Sequence, residues 1–129
     1  MNAFLLDTCT FLWLVEDSPN LPKSVRTVLS SPENAIYLSV VSVWEILVKT
    51  ATGALKLPEP AHDYLTRQRA AHKIDSLPLN EDAVVNLSRL PSVHKDPFDR
   101  MLICQALANG FTILTPDKQI ASYPVKVAW

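Results

Sequence analysis

Short apolar runs alternate with longer, helix-patterned stretches along almost all of this 129-residue chain, and no other feature constrains the fold as strongly. AFLL at 3–6, AIYLSV at 35–40, HKIDSLPL at 72–79 and FTILT at 111–115 read as strands, with VKVAW at 125–129 as an edge strand. Between them lie helical patterns: CTFLWLVE at 9–16, LPKSVRTVLSS at 21–31, SVWEILVKTATG at 42–53, AHDYLTRQRAAH at 61–72, NEDAVVNLSRL at 80–90, DPFDRMLICQALANG at 96–110 and DKQIASY at 117–123. Strands that alternate with helices imply crossover connections, hence an α/β domain with a mainly parallel sheet. The length fits one domain spanning residues 1–129. Pro22 and Pro97 stand where helices open, and Gly53 and Gly110 where they close. Asn80 is a predicted N-cap.

Composition then removes function classes. The chain has two glycines, so neither a dinucleotide fingerprint nor a phosphate-binding glycine loop can be built. His62, His72 and His94 are not paired with another His or Cys at metal-ligand spacing, which argues against zinc. Cys9 and Cys104 are too few for a disulfide scaffold and are expected to be buried free thiols. The N-terminal stretch MNAFLLDTCTFLWLVED has no early basic residue and carries an acid within its apolar run, unlike a signal peptide, so a cytoplasmic location is expected.

Four acids hold equivalent places. Asp7 follows the first strand, Glu45 lies one turn into the helix after the second, Asp99 is in the first turn of its helix, and Asp117 follows FTILT. A parallel sheet brings strand-following residues to its carboxyl edge, where open α/β sheets bind ligands. Each acid also has a local explanation. Ser42 and Glu45 form a capping-box pattern, Asp96 fits an N-cap before Pro97, and Asp7 and Asp117 suit caps of their own helices. Taken together, gathered carboxylates repel, and a hard divalent cation is the usual remedy. The chemistry expected is metal-assisted hydrolysis of a phosphodiester without a covalent enzyme intermediate. Asp96 is expected as a cap or as a support beside the metal ligands. Thr8 and Thr115 are expected to orient an attacking water or to serve as turn hydroxyls. Setting these five acids aside leaves eight acids against twelve bases. Lys49, Lys95, Arg100 and Lys118 lie near the acids and are candidates to hold a phosphate backbone. An exposed pairing of Arg100 with Asp96 is the plainer alternative.

The ordered segments LLDTCTFLWL, SVVSVWEILVKTATGALKLP, HKDPFDRMLICQA and ILTPDKQI resemble the PIN domain, and more narrowly the VapC-type toxins of bacterial toxin–antitoxin pairs. The resemblance runs from Asn2 to the VKVAW end. It implies a three-layer α/β/α sandwich and a magnesium- or manganese-dependent endoribonuclease whose catalytic, metal-holding acids match Asp7, Glu45, Asp99 and Asp117. It also implies a homodimer and a VapB-type antitoxin partner. Cys9 and Thr10 stand where the family often carries His or Ala. The apolar first helix, with Phe11, Leu12, Leu14 and Val15, is a candidate dimer surface, and burial in the core explains it equally well.

Other classes remain to be weighed. One is a non-catalytic PIN-like module that binds RNA or a protein partner. Phosphotransfer domains fit less well: a haloacid-dehalogenase-type phosphatase needs an aspartate where Cys9 stands, and a response-regulator receiver needs an acid adjacent to Asp7.

Overall fold

The computed structural model describes residues 2–129. Five strands, β1 (Asn2–Leu6), β2 (Asn34–Ser39), β3 (Asp75–Leu77), β4 (Thr112–Leu114) and β5 (Val127–Ala128), form one sheet in the order β3-β2-β1-β4-β5. Every pairing is parallel. The first two strands match their sequence runs to within a residue at each end, whereas the last three are shorter than theirs, most of all HKIDSLPL, of which three residues pair.

The helices are α1 (Thr8–Val15), α2 (Lys23–Ser30), α3 (Val40–Ala51), α4 (Ala61–Ala71), α5 (Glu81–Val84), α6 (Pro97–Asn109) and α7 (Lys118–Ala121). Alternation along the strands sends Leu5 and Ile113 to one side of the sheet and Leu6 and Leu114 to the other. The first side is packed by Leu102, Ile103 and Ala106 of α6, with Ile120 and Tyr123. The second is packed by Phe11 of α1, Ile46 of α3 and Leu65 of α4, with Ile74. Both cores are closed over a buried central sheet, which gives the expected α/β/α sandwich. Among the described residues no helix is long and apolar enough to cross a membrane.

Several local expectations are corrected. Ser42 does not cap α3. The strand β2 ends at Ser39, whose hydroxyl accepts from the Val41 N–H at 2.9 Å and starts the helix there. Ser42 and Glu45 are thereby carried inside the helix and buried. Asn80 sits at the N-cap of α5 but makes no side-chain cap bond, and the helix tightens after four residues into a 3-10 segment, Val85–Arg89. Cys104 is buried, but Cys9 is exposed, because it is the second residue of α1 while Thr10 and Phe11 take the inward face. Phe11, Leu12, Leu14 and Val15 of α1 pack into the second core. The exposed apolar stripe lies instead on α3, at Val40, Trp44, Leu47 and Val48.

Candidate active site

The sheet register places the first pair of acids. Leu6 of β1 stands opposite Leu114 of β4, so Asp7 and Thr115 leave the sheet side by side. Thr115 Oγ1 donates to Asp7 Oδ2 at 2.5 Å and accepts from the Asp117 N–H at 3.0 Å. One hydroxyl thus locks two acids together. The other oxygen of Asp7 accepts from the Thr10 N–H at 2.7 Å, so Asp7 is an N-cap, as its position allowed, and also 95% buried by virtue of its 5% exposure. Burial raises its pKa, the hydrogen bonds from Thr10 and Thr115 oppose the rise, and the charge of Asp117 adds to it. Asp117 caps α7 through the Gln119 N–H at 2.8 Å. The chain winds outward from β1 through β2 to β3 and then returns to the far side of β1 as β4. The reversal falls between β1 and β4, so this pair occupies the topological switch point at which open α/β sheets take ligands.

Glu45 arrives from α3. Its Oε1 accepts from Thr8 Oγ1 at 2.7 Å, and Thr8 lies 2.9 Å from the hydroxyl of Ser42. Its Oε2 meets Lys49 Nζ at 2.5 Å, one helical turn on, and that bond holds the lysine pKa above its ordinary value. Thr8 and Thr115 therefore fix the acids themselves.

Asp99 is the third residue of α6, a helix that runs antiparallel to the strands, so its N-terminus reaches the same edge. Asp96 is the cap, its Oδ1 accepting from the N–H groups of Phe98 at 2.9 Å and Asp99 at 3.1 Å. Burial pushes the Asp99 pKa up to about 6, helped by the charges of Asp96, Glu45 and Asp117 and opposed by a hydrogen bond from His94. Although Cys9 is exposed as a residue, partial desolvation of its thiol, and then the charges of Asp7 and Asp117, push its pKa up to about 11. The four acids share one electrostatic field. Four helix N-termini, those of α1, α3, α6 and α7, open onto it, and their dipoles favour negative charge.

His94 and Tyr123 are the residues that sequence reasoning missed. His94 Nε2 lies 3.3 Å from Asp99 Oδ2, and its Nδ1 lies 2.8 Å from the Tyr123 hydroxyl. A histidine two positions before the Asp96 cap was the one signal; Tyr123 gave none, since it enters from beyond α7. Arg100 does not pair with Asp96. Its guanidinium donates to the Pro91 carbonyl and to the Tyr123 hydroxyl, each at 2.9 Å, because the carboxylate of Asp96 is turned into its own helix cap. Of the other candidate RNA contacts, Lys95 and Lys118 are exposed, while Lys49 is tied to Glu45.

Among the described residues no three His, Cys, Asp or Glu side chains are gathered into a ready-made metal cage. The carboxylates are turned toward protein donors instead. The donor set nevertheless suits a hard cation: all four groups offer carboxylate oxygens, and Asp99 Oδ1 and Asp117 Oδ2 have no protein partner among the described residues. A cavity of about 820 Å³ opens at the opposite, amino edge, lined by Lys23, Arg26, His72 and Lys73 among others, and none of the four acids borders it.

The family model described as PIN domain matches residues 4–126. Comparison with curated proteins returns no match. Among solved structures, the chain is similar to VapBC2 from Rickettsia felis bound to a DNA fragment from its promoter, with a TM-score of 0.74 at 13% identity over 98% of this chain and 97% of that one. It is similar to DNA-bound VapBC from Salmonella typhimurium, with a TM-score of 0.69 at 18% identity over 99% and 98%. It is also similar to FitAcB from Neisseria gonorrhoeae, with a TM-score of 0.59 at 20% identity over 96% and 95%.

Proposed function

The chain belongs to the PIN domain family, and from that premise we propose that it is a single-domain, metal-dependent endoribonuclease acting as the VapC-type toxin of a toxin–antitoxin pair. The observation that carries this reading is the convergence of Asp7, Glu45, Asp99 and Asp117 on the carboxyl edge, with Asp7 and Asp117 at the switch point. Asp7, Glu45, Asp99 and Asp117 would hold Mg2+ or Mn2+. The chemistry such an ion supplies when bound is neutralisation of the acids and activation of water for attack on a phosphodiester.

The chain's own residues prepare the edge for that role. Thr115 holds Asp7 in register with Asp117, and Thr8 and Lys49 hold Glu45. Asp96 fixes the first turn of α6 and so the height at which Asp99 stands. Lys95 and Lys118 flank the acids as exposed cations suited to a phosphate backbone. Magnesium against manganese is a question of availability and geometry that both fit. The structural neighbours whose names include VapBC support a VapB-type antitoxin partner. The apolar stripe on α3 supports a homodimer formed there rather than through α1.

The test is cleavage-site mapping on total RNA with purified, antitoxin-free chain, with Mg2+ or Mn2+ added and withheld. Metal-dependent cuts that vanish in Asp99→Asn support the reading; equal cutting by that variant overturns it. One observation favours a second reading, a non-catalytic binding module: every one of the four carboxylates already has a protein hydrogen-bond partner. RNA binding without cleavage in any metal is the result that selects it.

A further inference from the structure

We propose that His94 and Tyr123 are positioning residues that hold the Asp99 carboxylate in one orientation, with Arg100 as the strut behind them. The inference rests on the reading of Asp99 as a working acid. It comes from hydrogen-bond bookkeeping around one hydroxyl.

Tyr123 is 3% exposed, and its ring is part of the first core, packed near the His94 ring with centroids 5.4 Å apart. Its hydroxyl has two acceptor sites and one proton. The His94 backbone N–H at 3.2 Å and the Arg100 guanidinium at 2.9 Å take the two acceptor sites. The proton is left for His94, with Nδ1 at 2.8 Å much closer than the His94 carbonyl at 3.4 Å. Nδ1 is therefore an acceptor. In the neutral ring the remaining hydrogen sits on Nε2, which donates to Asp99 Oδ2 at 3.3 Å. Histidines that hold working carboxylates, and carboxylates that hold working histidines, act through this kind of fixed tautomer.

The burial pattern agrees. His94 lies in the irregular segment before α6, among exposed neighbours, yet its side chain is only 8% exposed. Arg100, expected at the RNA, spends its donors on Pro91 and Tyr123 and so closes the segment over the histidine. With Oδ2 engaged, Oδ1 is the Asp99 oxygen left for the site.

Three variants test this: His94→Ala, His94→Gln and Tyr123→Phe. Glutamine keeps an N–H at about the reach of Nε2, and Tyr123→Phe keeps the ring packing while removing the hydroxyl. The readouts are kcat and KM for RNA cleavage, Mn2+ affinity by calorimetry, and the ring 15N shifts of His94. The wild type is expected to show the Nε2–H tautomer. His94→Ala is expected to lose roughly 10- to 100-fold in kcat or Mn2+ affinity, the usual effect of removing a group that orients a ligand, with KM nearly constant. His94→Gln restores most of that loss, and Tyr123→Phe broadens or shifts the His94 signals and falls between. A wild-type Nδ1–H tautomer, or full kcat and Mn2+ affinity in folded His94→Ala, overturns the proposal. A wild type that neither cleaves RNA nor binds Mn2+ but shows the Nε2–H tautomer defeats the functional reading instead and leaves the orientation of Asp99 standing.

Discussion

The two ends of the acidic edge are built by different means. At the switch point, Asp7 and Asp117 are set by backbone: strand register puts Asp7 beside Thr115, and Thr115 bonds both acids. At the α6 end, Asp99 is set by side chains from a loop and from beyond α7, with His94 and Tyr123 in series. The first acid also holds the fold together, since it caps α1 and satisfies a buried hydroxyl. The second caps no helix, and burial, with the charges of Asp96, Glu45 and Asp117 behind it, raises its pKa. On the proposed function, Asp7 is a structural and a working acid at once, whereas Asp99 is a working acid whose ionisation burial and its neighbours disfavour.

That contrast is broken most directly by activity. Asp7→Ala and Asp99→Asn are each expected to lower metal-dependent RNA cleavage by more than about 100-fold, beyond the loss typical for supporting residues. Single-turnover cleavage measures this, and a variant within tenfold of wild type removes that acid from the site. Stability should separate the two. Asp7→Ala is expected to cost about 2–3 kcal/mol in urea unfolding, from a lost cap and an orphaned Thr115 hydroxyl. A neutral result would show that the register, not the carboxylate, holds that end.

Asp99→Asn is expected to do the opposite and stabilise the metal-free chain by about 1 kcal/mol near pH 8, after solvent screening of a partly exposed group is counted. The sign follows from linkage. The folded-state pKa of about 6 lies above the ordinary 3.8, so ionisation disfavours the fold, with no penalty below about pH 4 and the full penalty above about pH 7. Melting curves of both proteins across that range should diverge as pH rises; parallel curves would place Asp99 in a relaxed environment. Asp96→Ala removes the α6 cap and should cost about 1 kcal/mol by the same unfolding assay. Lys49→Met, which removes a half-exposed partner of Glu45, should change stability by only about 0.5 kcal/mol. An effect of several kcal/mol there would make Lys49 as structural as Thr115.

The same contrast explains what the sequence made legible. Asp7, Asp117 and Asp96 could be placed because strand ends and helix starts have local signals: an apolar run that stops, a proline at the first helical position. The parallel sheet and the glycine that closes α6, with φ of 69°, followed from the same kind of pattern. The sequence pattern puts the α3 cap three positions late, at Ser42 instead of Ser39, because no turn separates β2 from α3, so the serine that ends the strand also caps the helix. The His94–Tyr123–Arg100 network was invisible. Its members lie 29 and 23 positions apart, and nothing local to Tyr123 marks its hydroxyl as shared. Gln105 was hidden for the same reason: it is fully buried and linked to Ser39 and to the Pro78 carbonyl, contacts that only the packed sheet creates.

The pairing of β1 with β4 has a consequence for the order in which the molecule comes into being. Asp7 is bonded to Thr115, 108 positions later in the chain. During synthesis the amino-terminal strand meets β2 early, but nearly the whole chain must leave the ribosome before its second neighbour, β4, exists. A contact of that span forms late, because closing so long a loop precedes any reward from the pairing. Partial chains that stop before β4 have Asp7 without its clasp and lack Asp117 altogether. The full set of four acids at this edge is therefore complete only once the last quarter of the chain has joined the sheet.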